Sequence, residues 1–139
     1  MAFLIGGANS AADTGYSISN SLRFNQGDIA HLSITATNDA TSTYTISFWM
    51  KRGIISHSTY MYIWNAGGNG LAFNTDDTIY VWDGDSKETT SAKYRDSSAW
   101  QHIVLKVDSG TGIIYKDGVV METGQPCGDF NNGDPIIGK

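Results

Sequence analysis

Alternation of apolar and polar positions dominates this chain, and it is sharpest in residues 100–120, WQHIVLKVDSGTGIIYKDGVV. Ile103, Leu105 and Val107 fall on one face of an extended segment, while His102, Lys106 and Asp108 fall on the other with Val104 among them. That pattern predicts a half-buried strand. The turn-rich residues 108–112 follow, then a second rise through Ile113, Ile114, Tyr115 and Lys116. Asp117-Gly118 next separates that run from Val119, Val120 and Met121, and it suits a type I′ hairpin, whose two central positions both need positive φ.

The same reading gives ten short strands, over residues 17–24, 30–34, 44–51, 60–64, 70–73, 78–82, 87–94, 100–107, 112–116 and 119–122. Their separators are dense in turn formers, such as Asn25-Gln26-Gly27-Asp28, Ala66-Gly67-Gly68-Asn69 and Asp83-Gly84-Asp85-Ser86. In 44–51 the residues Tyr44, Ile46, Phe48 and Met50 share a core-facing side, and Trp49 lies on the opposite side, where it needs cover from another strand or a partner. No window combines helical spacing with good helix formers over ten residues. The prediction is an all-β sandwich or barrel.

Composition narrows the function classes. A chain of 139 residues and 15.0 kDa supports one core. Net charge is −5, and the nine Lys and Arg are scattered apart from the pair Lys51-Arg52, so no basic patch points to nucleic acid. Twelve of the fourteen acidic residues are Asp, which fits turns. A lone Cys127 rules out an internal disulfide and any Cys-based metal cluster. His31, His57 and His102 show no metal-binding spacing, so no zinc site is expected.

The opening stretch has neither the basic region nor the apolar length of a secretory signal, and no segment is long enough for a membrane span. Residues 1–15 read either as a terminal arm or edge strand, or as an apolar peg, Phe3, Leu4 and Ile5, on a Gly-rich tether that anchors the domain to a larger assembly. Residues 16–139 form the domain.

The order of motifs then becomes recognisable. "SLRFN", "YTISFWMKRG", "GLAFN", "TIYVWDGD" and "WQHIVLKVDSGTGIIYKDGVV", with Trp100, His102, Tyr115, Asp117 and Gly118 as the strongest elements, resemble the concanavalin A-like, laminin-G-like jelly-roll superfamily. The fold implied is all-β, an antiparallel two-sheet jelly-roll sandwich. In that superfamily a segment like Ile136-Ile137-Gly138 leads into further strands, so the expectation includes last strands that are missing or completed by another chain. The opening "MAFLIGGA" with "GYSISNSLRFNQGDIAHL" and "ISFWMKRG" is similar to laminin-G-like proteins of tailed bacteriophages. This implies a non-enzymatic virion structural component, a fibre, tail or capsid-surface protein, assembled in the host cytoplasm. Its implied partners are other virion proteins, further copies of itself and a host-surface glycan, without nucleic acid or membrane insertion. The alternative is a free-standing carbohydrate-binding module.

Three chemistries remain to be placed. Retaining glycosidases of the superfamily carry a Glu-x-Asp-x-x-Glu strand, whereas Glu88 and Glu122 lie in no such pattern, so no catalytic residue is assigned. No cofactor or metal is expected; calcium is the alternative, with Asp76, Asp77, Asp83 and Asp85 as oxygen donors at the rim. For a sugar, Trp64, Asn65, Asn69, Trp82, Asp83 and Tyr94 offer aromatic faces and short polar groups, although Trp64 and Trp82 suit a sandwich core equally well.

Overall fold

The computed structural model describes residues 20, 22–35, 41–130 and 135–138 of the chain. They form two antiparallel sheets packed face to face. One sheet has six strands in the order β1-β10-β3-β4-β5-β6 and the other four in the order β2-β7-β8-β9. The strands are β1 (Leu32–Ser33), β2 (Tyr44–Met50), β3 (Met61–Ala66), β4 (Asn69–Phe73), β5 (Thr78–Asp83), β6 (Ser86–Lys93), β7 (Gln101–Asp108), β8 (Thr111–Lys116), β9 (Val119–Pro126) and β10 (Ile136–Ile137). The architecture is the all-β sandwich that the alternation predicted. No helix among the described residues is long and apolar enough to cross a membrane.

The alternation decides which way each strand faces. Ile103, Leu105 and Val107 of β7, with Ile114 of β8, meet Leu71 and Phe73 of β4 and Ile79 and Val81 of β5 in one core. Burying each such side chain stabilises the fold by about 1.5–3 kcal/mol. A slip of one residue in β7 would turn all three of its core residues to solvent, so the pairing Ser47↔Val104↔Tyr115 is firmly set. Asp117 and Gly118 have φ of 51° and 81°, the two positive angles that the hairpin demanded. Asp117 also fastens its own turn, accepting the His102 N–H on Oδ1 at 2.9 Å.

Two segments near the start depart from expectation. Leu22–Asn25 are not in a strand, and residues 26–28 form a short 3-10 turn followed by Ile29 at φ 49°. The second strand shrinks to Leu32–Ser33, the two residues that pair with Ile137 and Ile136. Ile136–Ile137 is itself a strand of the six-stranded sheet, inserted between β1 and β3 with Ile136↔Asn65 and Ile137↔Trp64. The proposed anchor Phe3, Leu4 and Ile5, with the rest of the arm 1–15, lies outside the described residues.

Cys127 lies in the core, and burial, with a smaller effect of the Asp83 charge, pushes its thiol up to about 12. At pH 8 the thiolate fraction is then about 10⁻⁴, against roughly a quarter for a free thiol. Native protein should resist a thiol-specific reagent and react fully once denaturant is added; rapid labelling of the folded protein would contradict this burial.

Candidate functional site on the six-stranded sheet

A bulge in β3 sets the candidate site. The β3–β4 register runs Met61↔Phe73 and Tyr62↔Ala72, then skips Ile63 and resumes at Trp64↔Leu71 and Asn65↔Gly70. Since Leu71 and Phe73 point into the core, Trp64 points inward, while Tyr62 and Asn65 point out. On β5, Ile79 and Val81 are fully buried, which turns Tyr80 and Trp82 outward opposite Ala72 and Gly70.

The outer face therefore carries two rows across the sheet, Asn65-Gly70-Trp82-Lys87 and Tyr62-Ala72-Tyr80-Thr89. The rings along them touch in series. Tyr60 stacks on Tyr80 at 5.0 Å and 21°, Tyr80 on Trp82 at 5.4 Å and 21°, and Trp82 meets Tyr62 edge-on at 5.6 Å and 69°. Gly70 makes this arrangement fit. A Cβ there would lie 2.4 Å from Trp82 Cη2 and 2.6 Å from the Trp64 carbonyl oxygen. Small residues on the middle strand thus let the rings of β3 and β5 close over it, with the Asn65 amide and the Lys87 ammonium at the ends of one row. Apolar ring faces flanked by a few polar groups are the surface chemistry that takes a sugar ring.

The six candidates read from the sequence divide between two environments. Asn65 and Trp82 sit on this outer face. Trp64, Asn69, Asp83 and Tyr94 do not. Trp64 is in the core, stacked on Phe130 at 5.6 Å and 12°. The Asn69 side chain, 1% exposed, donates from Nδ2 to the Asp129 carbonyl at 2.9 Å. Asp83 faces inward against Gly128, where a Cβ would come within 2.6 Å of its Oδ1. Tyr94 is buried beside Phe73, and that burial pushes its hydroxyl up to about 12. Tyr60, Tyr62, Tyr80 and Lys87 complete the outer face and were not singled out from the sequence. The signal for Tyr80 was present in Ile79-Tyr80-Val81-Trp82, whose two faces differ in character. Tyr62 was hidden by the bulge.

The four aspartates considered for calcium are divided as well. Asp76 and Asp77 precede β5, and Asp83 and Asp85 stand at its far end, roughly 20 Å away along six extended residues. Asp76 bonds to Thr78 and faces Lys93 at 3.8 Å. Asp77 is wholly engaged by protein donors: Oδ1 accepts from Arg52 Nη1 at 3.0 Å and the Ser56 amide at 2.7 Å, and Oδ2 from Ser56 Oγ at 3.1 Å and Arg95 Nε at 2.9 Å. Among the described residues no three His, Cys, Asp or Glu side chains are grouped as a metal would need. Of the two glutamates, Glu88 is opposite Val81 on the edge strand β6, and Glu122 Oε2 accepts from the Ser91 amide and hydroxyl.

The sequence of residues 25–139 matches the family model of the concanavalin A-like lectin/glucanases superfamily. The chain belongs to the concanavalin A-like lectin/glucanase superfamily. A solved structure similar to this superfamily member is domain 4 of AbnA, an extracellular GH43 arabinanase from Geobacillus stearothermophilus, in complex with arabinotriose. The TM-score is 0.59 at 14% identity, covering 85% of this chain and 66% of that one, so the chain spans just under two thirds of the length of that solved domain. At that identity the likeness concerns the fold. No curated protein matches the chain in sequence.

Proposed function

We propose that this lectin/glucanase-like domain binds a saccharide on the outer face of its six-stranded sheet. The observation that carries the reading is the unbroken series Tyr60, Tyr80, Trp82 and Tyr62 over the Gly70 and Ala72 floor. Such rings are already ordered by each other and by the strands, so little side-chain entropy is lost when a sugar docks. The fold relative that holds arabinotriose supports a sugar as the class of ligand. The domain acts as a binding module without catalysis: Glu122 is occupied by Ser91, and Glu88 lies on an edge strand away from the ring series. If hydrolysis of a bound glycan were detected and lost in a Glu88→Gln, Glu122→Gln double variant, this part of the reading would fail.

Trp82→Ala is the direct test. Truncation of an aromatic anchor, about 1–3 kcal/mol, should weaken binding of a glycan found by array screening roughly 5- to 150-fold while the protein still unfolds in one cooperative thermal transition. Unaltered affinity in that variant would overturn the assignment of the face. On a bacteriophage particle, the setting to which the resemblance of the opening segments points, a module of this kind would hold the virion to a host-surface glycan, with further copies and the arm 1–15 serving assembly. That step rests on the resemblance. Peptide mapping of purified particles tests it.

A further inference from the structure

The four-stranded sheet carries a second outward surface with a different character. Thr45, Ser47 and Trp49 of β2 lie beside Lys106, Val104 and His102 of β7, each pair in direct register, and Tyr115 of β8 lies beyond Val104. Trp49 is 56% exposed, an uncommon state for so large an apolar ring. It does not hang free. Its indole stacks on the His102 imidazole at 5.0 Å and 20°. His102 is itself held, with Nε2 hydrogen bonded to Ser47 Oγ at 2.9 Å and its amide bound to Asp117 at 2.9 Å. The result is a fixed, exposed aromatic platform.

Next to it lies an open depression of about 260 Å³ lined by Thr45, His102, Val104, Lys106, Tyr115 and Gly118. That is smaller than the roughly 300–1,000 Å³ of a site for a drug-sized ligand, and its floor is mostly apolar. Lys106 is exposed and enters no ion pair among the described residues, whereas Lys93 and Lys116 each face an aspartate. An unpaired ammonium beside a mainly apolar depression is a local charge that a carboxylate complements, against the net −5 of the whole chain. His102 and Lys106 are four residues apart on one strand, roughly 13 Å. A ligand using both must be longer than a single sugar ring.

We propose that this face is a second binding site, specific for an acidic oligosaccharide: one ring lies on the Trp49 and His102 platform, and a carboxylate of a neighbouring sugar meets Lys106, with the Thr45 and Tyr115 hydroxyls as hydrogen-bond partners. The site shares no residue with the aromatic face of the six-stranded sheet, so the two assignments stand or fall separately.

Calorimetric titration of the whole protein with oligogalacturonate, and with the same oligosaccharide after reduction of its carboxyl groups, tests the proposal. Wild type should bind the acidic form about tenfold or more tightly than the reduced one. Lys106→Gln and Trp49→Ala should each weaken acidic binding by about tenfold or more, Lys106→Arg should keep it within a few-fold, and Trp82→Ala should leave it unchanged. Both Lys106 and Trp49 are exposed, so the variants fold, which thermal denaturation verifies. Absence of wild-type binding, equal affinity for the reduced sugar, an unaffected Lys106→Gln variant, or equal loss in Trp82→Ala would each overturn it.

Discussion

Replacing Asp77 with Asn should destabilise the protein by about 3–5 kcal/mol, the cost of breaking a buried ion pair from one side, and lower its melting midpoint by roughly 10–20 °C. The carboxylate is fully buried and serves three segments at once: Arg52 and Ser56 after β2, its own turn before β5, and Arg95 after β6. The backbone joins in, since the Tyr94 amide donates to the Asp77 carbonyl at 2.8 Å and Arg52 Nη1 donates to the Tyr94 carbonyl at 2.7 Å. Arg52 also lies 4.0 Å over the Phe73 ring. With the charge removed, the buried Arg52 guanidinium loses its counter-ion while remaining out of water. Arg95 is half exposed, and its loss adds little. Asn keeps the backbone in place, because Asp77 has φ 71° and Asn tolerates that left-handed conformation, but its Nδ2 also meets two donors where a carboxylate oxygen accepted them, which adds to the loss.

The same network has an acid limit. Burial alone would raise the Asp77 carboxyl, but the hydrogen bonds from Ser56, Arg95 and Arg52 outweigh it and hold the group well below the usual carboxylate range. A depressed folded-state value stabilises the protein above the unfolded value of about 3.8 and withdraws that stability as pH falls below it. Wild-type melting temperature should therefore drop steeply below about pH 4, and Asp77→Asn should flatten that limb. A variant with the wild-type acid profile would remove Asp77 from its cause.

Much of the sandwich was legible because burial follows a period of two. The inward sides of β2 and β7 and the Asp117-Gly118 hairpin are local facts, set by side-chain alternation and turn sterics within a few residues. The Arg52–Asp77 pair was not legible. Its members are 25 positions apart, and in the chain Asp76-Asp77 reads as a turn or an oxygen-donor pair and Lys51-Arg52 only as a pair among scattered basic residues. The candidate sugar face failed in a more specific way. Strict alternation through Met61-Tyr62-Ile63-Trp64 puts both aromatics on one side, and only the bulge that skips Ile63 sends Trp64 into the core while leaving Tyr62 outside. A bulge depends on cross-strand packing, and nothing within six residues of sequence reveals it. Asn65 and Trp82 belonged together, on either side of Gly70, but Asn69 and Asp83, the neighbouring register pair of β4 and β5, face the other way.

Gly70→Ala should destabilise the protein by about 1–3 kcal/mol and weaken glycan binding on the six-stranded sheet as well. Two effects of opposite sign compete at this position. Restricting the unfolded chain favours Ala by about 0.4–1 kcal/mol, since Gly70 is not held at a left-handed angle. Against that stands the new methyl, 2.4 and 2.5 Å from two Trp82 ring atoms and 2.6 Å from the Trp64 carbonyl oxygen. The ring can swing aside, but the carbonyl belongs to the β3 backbone that carries the bulge, so the strand itself must move. Steric cost therefore exceeds the entropic gain, and the displaced indole no longer continues the stack from Tyr80. Gly53→Ala is the matched control, with nothing within 4 Å of its added Cβ, and it should leave both properties within about 0.5 kcal/mol of wild type. Chemical denaturation and glycan titration of the pair check the prediction. If Gly70→Ala behaved like Gly53→Ala, the close approach of Trp82 to the sheet floor, and with it the geometry of the aromatic face, would have to be abandoned.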